Sequence, residues 1–346
     1  MMTTAAAAAT AAAAAPALLG ASPGGIQYPL AAHPVSHVGM ETMKPDIREL
    51  ARQRLVIYDG GMGTMLFAAG LLDGESPEVW NLEKPETVDA VYKAYYEAGS
   101  DVVQTNTFGG TPIKLSERDL QDRAYEANHL AAKALRAVCP EDRYAAGDVG
   151  PTGKFMKPMG EYTREEFDAT FEAQIQGLLD GGVDLISIET MYSLEEALCA
   201  LRAARRVSSV PVSVCMTFDR NPRGFFTLMG ETVPRCLAAL KDHGADIVGS
   251  NCSHGSPVFI ELARILRDHT DLPVIVQPNR GKPILERESM VYKQTVEEFV
   301  ADARTIAGLG VNVFGGCCGT TPEFITGLRR AVEPRTTQGA LQEDSP

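Results

Sequence analysis

Apolar residues along the chain gather into eight short runs, and each run ends in small or polar residues. Each run is followed by a longer stretch in which apolar residues recur every three or four positions, the spacing of one helix face. Continuous apolar runs of this length are typical of strands that are buried on both faces. The runs are LVIYDG (55–60), DVVQTNTF (101–108), YAAGDVGP (144–151), DLISIET (184–190), PVSVCMTF (211–218), DIVGSNCS (246–253), PVIVQPN (273–279) and VNVFGGCC (311–318).

The eight intervening stretches predict amphipathic helices, among them ETVDAVYKAYYEAG and TVEEFVADARTIAGLG. Four of them end in Gly shortly before a run, in EAGSDVV, DGGVDLI, DHGADIV and GLGVNVF, where Gly suits a left-handed helix cap. Ser193 with Glu196 three residues later predicts a capping box, and Thr321-Pro322 predicts a helix start. Eight strand–helix units predict an α/β fold, a single (β/α)8 TIM barrel.

A doubly wound open sheet is the competing architecture, and it carries a glycine-rich nucleotide-binding turn after its first strand. The turn DGGMGTML has Leu66 where the third Gly of that fingerprint belongs. The stretch GPTGKF (150–155) lacks the Ser or Thr that follows the lysine of a phosphate loop, and Asp148 replaces its first Gly. Both nucleotide-binding patterns therefore fail, and the barrel is favoured.

The two ends of the chain differ from the barrel segment in composition. Residues 1–46 are rich in Ala, then in Pro and Gly, and lack the basic start of a signal peptide or the arginines of a transit peptide. We expect residues 1–46 to be a disordered tail, 47–334 to be one (β/α)8 barrel domain, and 335–346 to be a flexible C-terminus.

Charge and cysteine content narrow the class of protein. The net charge of −13 over 346 residues argues against a nucleic-acid-binding protein, and no apolar run is long enough to span a membrane. Seven Cys, an odd number without dense spacing, predict a reduced, cytoplasmic chain without disulfide bonds.

Polar residues stand at the carboxyl ends of the predicted strands, where the active site of a TIM barrel lies. Any one of them is explained as readily by a turn or a helix cap, but all eight strand ends meet at one mouth. The residues are Asp59-Gly60-Gly61, Thr105-Asn106-Thr107, Asp148, Glu189, Asn251-Cys252, Gln277-Pro278-Asn279 and Cys317-Cys318.

Two of these residues, Cys317 and Cys318, are adjacent and flanked by glycines in GGCCG (315–319). Successive side chains of a strand point to opposite faces, so both thiols reach one point only if the chain turns beside them. The flanking glycines permit such a turn.

Cys252 stands at the end of the sixth strand, which is separated from the eighth by one strand. Cys252, Cys317 and Cys318 therefore predict three thiolate ligands with an open fourth position, the pattern of a catalytic zinc ion. The alternatives are a strained disulfide between the adjacent pair and a nucleophilic Cys252 with His254 as its base. The remaining cysteines are expected to be small buried apolar residues in helices or a strand: Cys139, Cys199, Cys215 and Cys236.

With these residues in view, the sequence resembles the zinc-dependent homocysteine S-methyltransferase family, and most of all the homocysteine-binding barrel of cobalamin-dependent methionine synthase. The likeness spans roughly residues 50–334. The motifs that carry it are DGGMGT (59–64), WNLEKPE (80–86), DVVQTNTF, GDVGPTG (147–153), DLISIET, MTFD (216–219), GSNCS (249–253), QPNRGKP (277–283) and GVNVFGGCCGTTPEFI (310–325).

The resemblance implies a role for individual residues. It makes Cys252, Cys317 and Cys318 the zinc ligands, with the homocysteine sulfur in the fourth position and Asn279 holding that position when substrate is absent. It implies that Asp59 and Glu189 bind the substrate ammonium group. The remaining substrate-binding residues that it implies are Gly60, Gly61, Met62 and Gly63, whose backbone amides cradle the carboxylate, and Asn106.

The implied reaction is attack of a zinc-bound homocysteine thiolate on a donor methyl group, which gives methionine. The methyl donor stays open among methylcobalamin, betaine and sulfonium compounds, and so does methyl transfer to another thiol. Methylcobalamin would be carried by a separate corrinoid protein docked over the barrel mouth. The segment RNPRGFFTLMG (220–230) either contributes to such a contact or lid, or packs on the barrel.

Overall fold

The computed structural model describes residues 44–282, 284–286 and 289–332. Most of the predicted tail (1–46) and the predicted C-terminal segment (335–346) lie outside these residues. Eight parallel strands form one sheet that curves into a nearly closed barrel, with sheet order β1-β8-β7-β6-β5-β4-β3-β2. The strands are β1 (Val56–Ile57), β2 (Val102–Gln104), β3 (Tyr144–Val149), β4 (Leu185–Met191), β5 (Val212–Met216), β6 (Ile247–Gly255), β7 (Val274–Asn279) and β8 (Val313–Phe314).

All eight predicted helices are present around the sheet, and four short helices join them. The predicted helices are α4 (Pro85–Glu97), α6 (Ala124–Val138), α7 (Arg164–Asp180), α8 (Leu194–Val207), α9 (Val233–Asp242), α10 (Ser256–Asp268), α11 (Val296–Gly308) and α12 (Pro322–Val332). The short ones are α1 (Ile47–Gln53), α2 (Met62–Ala68), α3 (Trp80–Glu83) and α5 (Pro112–Leu115). The prediction of a (β/α)8 barrel is confirmed.

Two carboxylates help to close the barrel between β1 and β2. The backbone N–H of Asp101 donates to the carbonyl of Ile57 at 2.7 Å, and the Asp101 side chain accepts from the N–H of Ile57 at 2.9 Å. Nearer the mouth, the side chain of Asp59 accepts from the N–H of Gln104 at 2.7 Å. The carboxylates of Asp101 and Asp59 thus accept the N–H groups of Ile57 and Gln104, which in a regular sheet would bond to backbone carbonyls of the neighbouring strand.

The contact between Asp101 and Ile57 recurs at every second strand. The residue before each even-numbered strand accepts, through its side chain, the backbone N–H of the first or second residue of the preceding strand, at 2.8–3.0 Å. The four pairs are Asp101 with Ile57, Asp184 with Ala145, Asp246 with Val212, and Asn312 with Val274. The four Gly-ended segments of the sequence are the segments that place these residues.

Helix α1 covers the end of the barrel opposite the mouth. Its residues Ile47 and Ala51 are buried against strand residues such as Val56 and Val102. The Asn312 side chain donates to the carbonyl of Ala51 at 2.8 Å, which ties this helix to β8. The amino-terminal end of the barrel is therefore a packed floor, and access is left to the mouth.

Two hairpins rise from the mouth. The first (Asp219–Asn221 with Gly224–Phe226) follows β5, and the second (Ile284–Glu286 with Ser289–Val291) follows β7. Neither was predicted as a pair of strands. In the described parts of the chain, no helix has the length and apolar content that crossing a membrane requires.

Candidate metal centre and substrate pocket

The chain turns directly after β8, at the adjacent cysteines. The N–H of Thr320 donates to the carbonyl of Cys317 at 3.1 Å, so residues 317–320 form a turn with Cys318 and Gly319 at its centre. Gly319 has a φ of +81°, which the third position of a type II turn requires. The predicted role of glycine beside the two thiols is confirmed at this residue.

The cysteine turn is tied to the neighbouring strand ends by backbone hydrogen bonds. The N–H of Gly316 donates to the carbonyl of Asp59 at 2.8 Å, and the N–H of Cys317 donates to that of Pro278 at 2.9 Å. A Cβ atom on Gly61 would stand 2.8 Å from the carbonyl oxygen of Cys317. The turn after β1 therefore packs directly on the cysteine turn, and only Gly fits at position 61 without displacement.

Cys252 lies in an irregular stretch of β6. It and Ser253 have φ values of +61° and +58°, and the register with β7 shifts between Asn251 and Gly255. A non-glycine residue in this left-handed region costs roughly 1 kcal/mol or more, and a bulge of this kind re-aims a side chain. In this strained conformation the side chain of Cys252 points to the residues after β8, and its sulfur lies 3.9 Å from that of Cys318.

The three predicted cysteine ligands come together. The Sγ atom of Cys252 is 3.9 Å from that of Cys318, which is 4.0 Å from that of Cys317, and all three lie within 4.8 Å of one another. Zinc with Zn–S bonds of ~2.3 Å in a tetrahedron places its sulfurs about 3.8 Å apart. The donor set and its spacing therefore fit a zinc ion, and all seven cysteines are unbridged.

Asn279, the last residue of β7, offers a side-chain oxygen as a further metal ligand. It is buried, and no described residue donates a hydrogen bond to its Oδ1 atom. A buried amide oxygen without a partner is costly unless an ion, a water or a ligand supplies one. This agrees with the role that the sequence predicts for Asn279, which stays a prediction.

The three thiols influence one another's ionisation. Hydrogen bonds from Cys252 and Cys317 lower the pKa of Cys318, while hydrogen bonds with Cys252 and Cys318 raise the pKa of Cys317. Cys318 is therefore the first of the three to become a thiolate, the form that binds a metal.

Three carboxylates line the mouth beside the cysteines. Burial, followed by the charge of Glu189, raises the pKa of Asp59 to about 8, and burial raises the pKa of Glu189 to about 7. Asp148 also has a pKa well above its usual range, because of burial and then the two neighbouring carboxylates. The three groups form a buried carboxylate pocket that holds protons when it is empty, and a ligand ammonium group would favour their ionised form.

Asp148 was noted at a strand end but not predicted as a site residue. Its Oδ1 atom is buried and has no hydrogen-bond partner among the described residues, so a ligand donor could supply one. The sequence pattern could have identified Asp148 as a site residue, because it is the first polar residue after the small apolar residues of β3, as the site residues of other strands are.

Asn251 is a second residue that the sequence did not single out for a role. Its Nδ2 atom donates to Glu189 Oε2 at 3.1 Å and lies 3.9 Å from Cys317 Sγ, and its Oδ1 accepts from the N–H of Thr190 at 2.7 Å. Thr190 has a φ of +58° in a bulge of β4. Asn251 thus links the carboxylate pocket to the cysteine cluster and satisfies a strained strand end.

The predicted amide cradle after β1 is partly committed to other contacts. The N–H of Gly61 donates to the carbonyl and hydroxyl oxygens of Thr320, at 3.3 and 3.2 Å. Gly61 is the N-cap of α2, and among the described residues no side chain caps this helix. The amides of Met62 and Gly63, in its first turn, are the better candidates to bind a carboxylate.

Asn106 is buried beside the loop that precedes α3. Its Nδ2 atom donates to the carbonyl of Pro77 at 2.7 Å and to Asn81 Oδ1 at 3.0 Å. These bonds fix the end of β2, and a part in substrate binding stays a prediction. Gly60 lies under Thr320 and Tyr95, where a Cβ atom would stand 2.7 and 3.0 Å from their hydroxyl oxygens.

His254 does not stand ready as a base for Cys252. Its Nε2 atom accepts a hydrogen bond from the N–H of Arg220 at 3.2 Å and lies 3.6 Å from Asp219 Oδ1. Of the cysteines outside the cluster, Cys199, Cys215 and Cys236 are buried as expected. Cys139 instead caps the end of α6 and is half-exposed, so its placement inside a helix was wrong.

Comparison with known proteins agrees with these features. A family profile described as homocysteine S-methyltransferase matches residues 56–332. Two curated relatives named methionine synthase, from Mycobacterium leprae (strain TN) and Mycobacterium tuberculosis (strain ATCC 25618 / H37Rv), are each 34% identical over 308 residues and cover 83% of this chain. The chain spans 25% of the length of each of these relatives.

Crystal structures of the homocysteine methyltransferase MmuM from Escherichia coli share the fold. The metallated form matches with a TM-score of 0.69 and the oxidized form with 0.70, each at 22% identity. Both matches cover 82% of this chain and 98% of the other. This likeness extends to the whole barrel.

Proposed function

The chain belongs to the homocysteine S-methyltransferase family, and we propose that its barrel methylates the sulfur of homocysteine at a zinc ion held by Cys252, Cys317 and Cys318. The observation that carries this proposal is the meeting of three sulfurs within 4.8 Å at the carboxyl ends of β6 and β8. Three donors leave one position of a tetrahedral ion for a further thiol.

Each end of a homocysteine molecule has a complementary group beside the cysteines. The carboxylates of Asp59 and Glu189, joined by Asp148, bind its ammonium group. The first-turn amides of Met62 and Gly63 bind its carboxylate, since helix N-termini favour anions. Asn251 keeps Glu189 in register with Cys317 through the hydrogen bonds of its side chain.

A zinc ion, when bound there, lowers the pKa of a thiol that joins it, so that the sulfur is nucleophilic at neutral pH. The protein's part is to position the substrate and to exclude other ligands. Because the pKa of Asp59 is about 8 without substrate, arrival of the ammonium group ionises this carboxylate and releases a proton.

The methyl group comes, in this proposal, from a carrier protein that docks over the mouth. The curated relatives named methionine synthase are more than three times as long as this chain, and the resemblance points to a corrinoid carrier. Exposed large apolar side chains stand on four loops around the mouth, which suits a protein contact: Phe108, Phe155, Met159, Leu228 and Ile284.

The segment 220–230 divides between the two roles considered for it. Phe225 is buried against the barrel with 4% of its surface exposed, whereas Leu228 is 67% exposed. We assign the first to packing and the second to the proposed contact. The compartment that we propose is the cytoplasm, which an odd number of cysteines without dense spacing supports.

The test is a panel of methyl donors offered with homocysteine, with bound zinc measured on the same samples. Donors are methylcobalamin, betaine, S-methylmethionine and S-adenosylmethionine, and a second thiol such as cysteine serves as the alternative acceptor. Cys318→Ser should lose both zinc and turnover, while Cys236→Ser, a buried cysteine in α9, should keep both. Full zinc content and full turnover in Cys318→Ser would overturn the proposal.

A further inference from the structure

A cavity of about 280 Å³ lies beside the mouth and apart from the cysteine cluster. Its walls come from the loops and helix starts that follow β3, β4 and β5, and none of the predicted metal or substrate residues lines it. This volume is just below that of ordinary ligand cavities, which run from ~300 Å³ upward, so a fitting occupant is small.

One wall of the cavity holds a buried carboxylate, Glu196, at the start of α8. Ser193 caps this helix as predicted, but the Glu196 side chain does not complete the capping box. Its Oε1 atom instead accepts from the N–H and the hydroxyl of Thr152, both at 2.7 Å.

The second oxygen of Glu196 is left without a donor. The residue is 1% exposed, and no described residue donates to its Oε2 atom. Burial raises its pKa to about 7, with the Thr152 bonds acting in the opposite direction. A buried carboxylate oxygen in this position is relieved by an N–H donor from a ligand, above all a charged one.

The other charged side chains of the wall form two groups. Three have partners within the protein: Lys154 with Glu117, Glu195 with Arg164, and Glu231 with Thr227. Lys157 and Arg235 form no ion pair with any residue in the described ranges, and Arg235 belongs to the first turn of α9. The cavity therefore offers one free carboxylate oxygen and two free cations.

Between these charges the wall is apolar. Phe155, Met156, Leu194 and Met229 line the cavity, and methionine side chains adapt to the shape of an aliphatic or thioether group. The complement of this wall is a molecule with an ammonium group, a carboxylate and an apolar side chain.

We propose that the cavity is a second amino-acid site, in which an apolar α-amino acid places its ammonium group on Glu196 and its carboxylate on Lys157 and Arg235. L-Methionine, the product of the proposed reaction, is the probe of choice. The site itself stands on the cavity and its charges, not on that reaction.

The first experiment counts binding sites by calorimetric titration of L-methionine into the full chain. We expect two binding events in the native protein. In Asp59→Asn, where the barrel-centre pocket has lost a carboxylate, the cavity event should persist unchanged. Persistence there separates this proposal from the proposed catalytic function, and a single event that disappears in Asp59→Asn would overturn the second site.

The second experiment assigns that event to the cavity. Glu196→Gln keeps the size of the side chain but removes its charge, and Arg235→Ala truncates an exposed side chain without affecting the core. Each should weaken the cavity event about tenfold, the effect of one charge-assisted hydrogen bond. Glu297→Gln, an exposed acid in the first turn of α11, is the matched control and should leave both events unchanged.

Ligand variants test the orientation. N-acetyl-L-methionine lacks the ammonium group and should lose its dependence on Glu196, whereas L-methionine methyl ester lacks the carboxylate and should lose its dependence on Arg235. Equal binding of the amino acid by the native protein, Glu196→Gln and Arg235→Ala would refute the assignment, and retained zinc content and thermal unfolding show that each variant is folded.

Discussion

Asp59 is predicted to lower the stability of the substrate-free protein at neutral pH, and Asp59→Asn tests this directly. The carboxylate is 2% exposed, and burial raises its pKa to about 8 from an ordinary value of 3.8. The folded protein therefore holds a proton that the unfolded chain has already released at pH 7. The free energy of unfolding contributed by this group falls as pH rises from about 4 to about 8.

The magnitude follows from the two pKa values. At ~1.36 kcal/mol per unit, Asp59 costs about 4 kcal/mol at pH 7 and about 2 kcal/mol at pH 5, relative to a side chain that does not ionise. Asparagine retains an oxygen that accepts the N–H of Gln104, so the barrel closure between β1 and β2 is kept. Asp59→Asn should thus stabilise the protein, by roughly 2 to 3 kcal/mol more at pH 7 than at pH 5.

Urea unfolding of both proteins at pH 5 and pH 7 measures the difference, since the titrating groups other than Asp59 and its neighbours Glu189 and Asp148 cancel between them. Asp73→Asn, which changes an exposed carboxylate, is the control and should show a difference near zero at both pH values. In activity assays Asp59→Asn should raise the KM for homocysteine at least tenfold, because the ammonium group loses a charged partner.

A stability gain that is the same at pH 5 and pH 7 would refute the reasoning, because it would mean that the Asp59 carboxyl is not protonated in the folded protein at neutral pH. A loss of stability at both pH values would place the importance of Asp59 in the barrel closure instead.

Three further outcomes are expected. Gly61→Ala should reduce bound zinc, because its Cβ would stand 2.8 Å from the carbonyl of Cys317; Gly63→Ala, whose nearest contact is at 4.0 Å, should keep full zinc by metal analysis. Asp101→Asn should lower the free energy of unfolding by about 2 kcal/mol, because the buried Asp101 carboxylate pairs with the partly exposed Arg54, Arg143 and Arg329; chemical denaturation at pH 7 measures this. Asn251→Ala leaves the N–H of a strained residue unsatisfied and frees Glu189, so kcat/KM for homocysteine should fall about tenfold while zinc content is kept.

The sequence predicts the barrel well because the barrel depends on local signals. Each strand is an apolar run of the length that two buried faces need, and some of the long helices carry their own caps, as Thr163 and Thr295 show with complete capping boxes. The two hairpins after β5 and β7 escaped because their short strands carry no alternation of apolar and polar residues, such as the exposed Asp219–Asn221.

The candidate site is predicted less completely, since much of it depends on tertiary contacts. The meeting of Cys252 with Cys317 and Cys318 follows from strand order, but the bulge that aims Cys252 has no local signal in GSNCS. The sequence predicts that the Glu196 side chain completes a capping box with Ser193, but in the structure this side chain accepts hydrogen bonds from Thr152 instead. Its buried bonds to Thr152 are stronger than a capping interaction at the surface of the protein.

The side chain before each even-numbered strand bonds to the backbone of the preceding strand. These four hydrogen bonds divide the barrel into four blocks of two strands each. The boundaries between blocks lie at 139–143, 208–211 and 269–273, and a break in the chain there keeps both partners of each of these four hydrogen bonds on the same fragment. A gene split at 208–211 yields two half-barrels, each with two intact blocks, whereas a break between β1 and β2 or between β5 and β6 severs one. Circular permutants opened at these boundaries are therefore the ones most suited to carrying new mouth loops, and the quarter-barrel is the unit in which this architecture is most naturally duplicated or recombined.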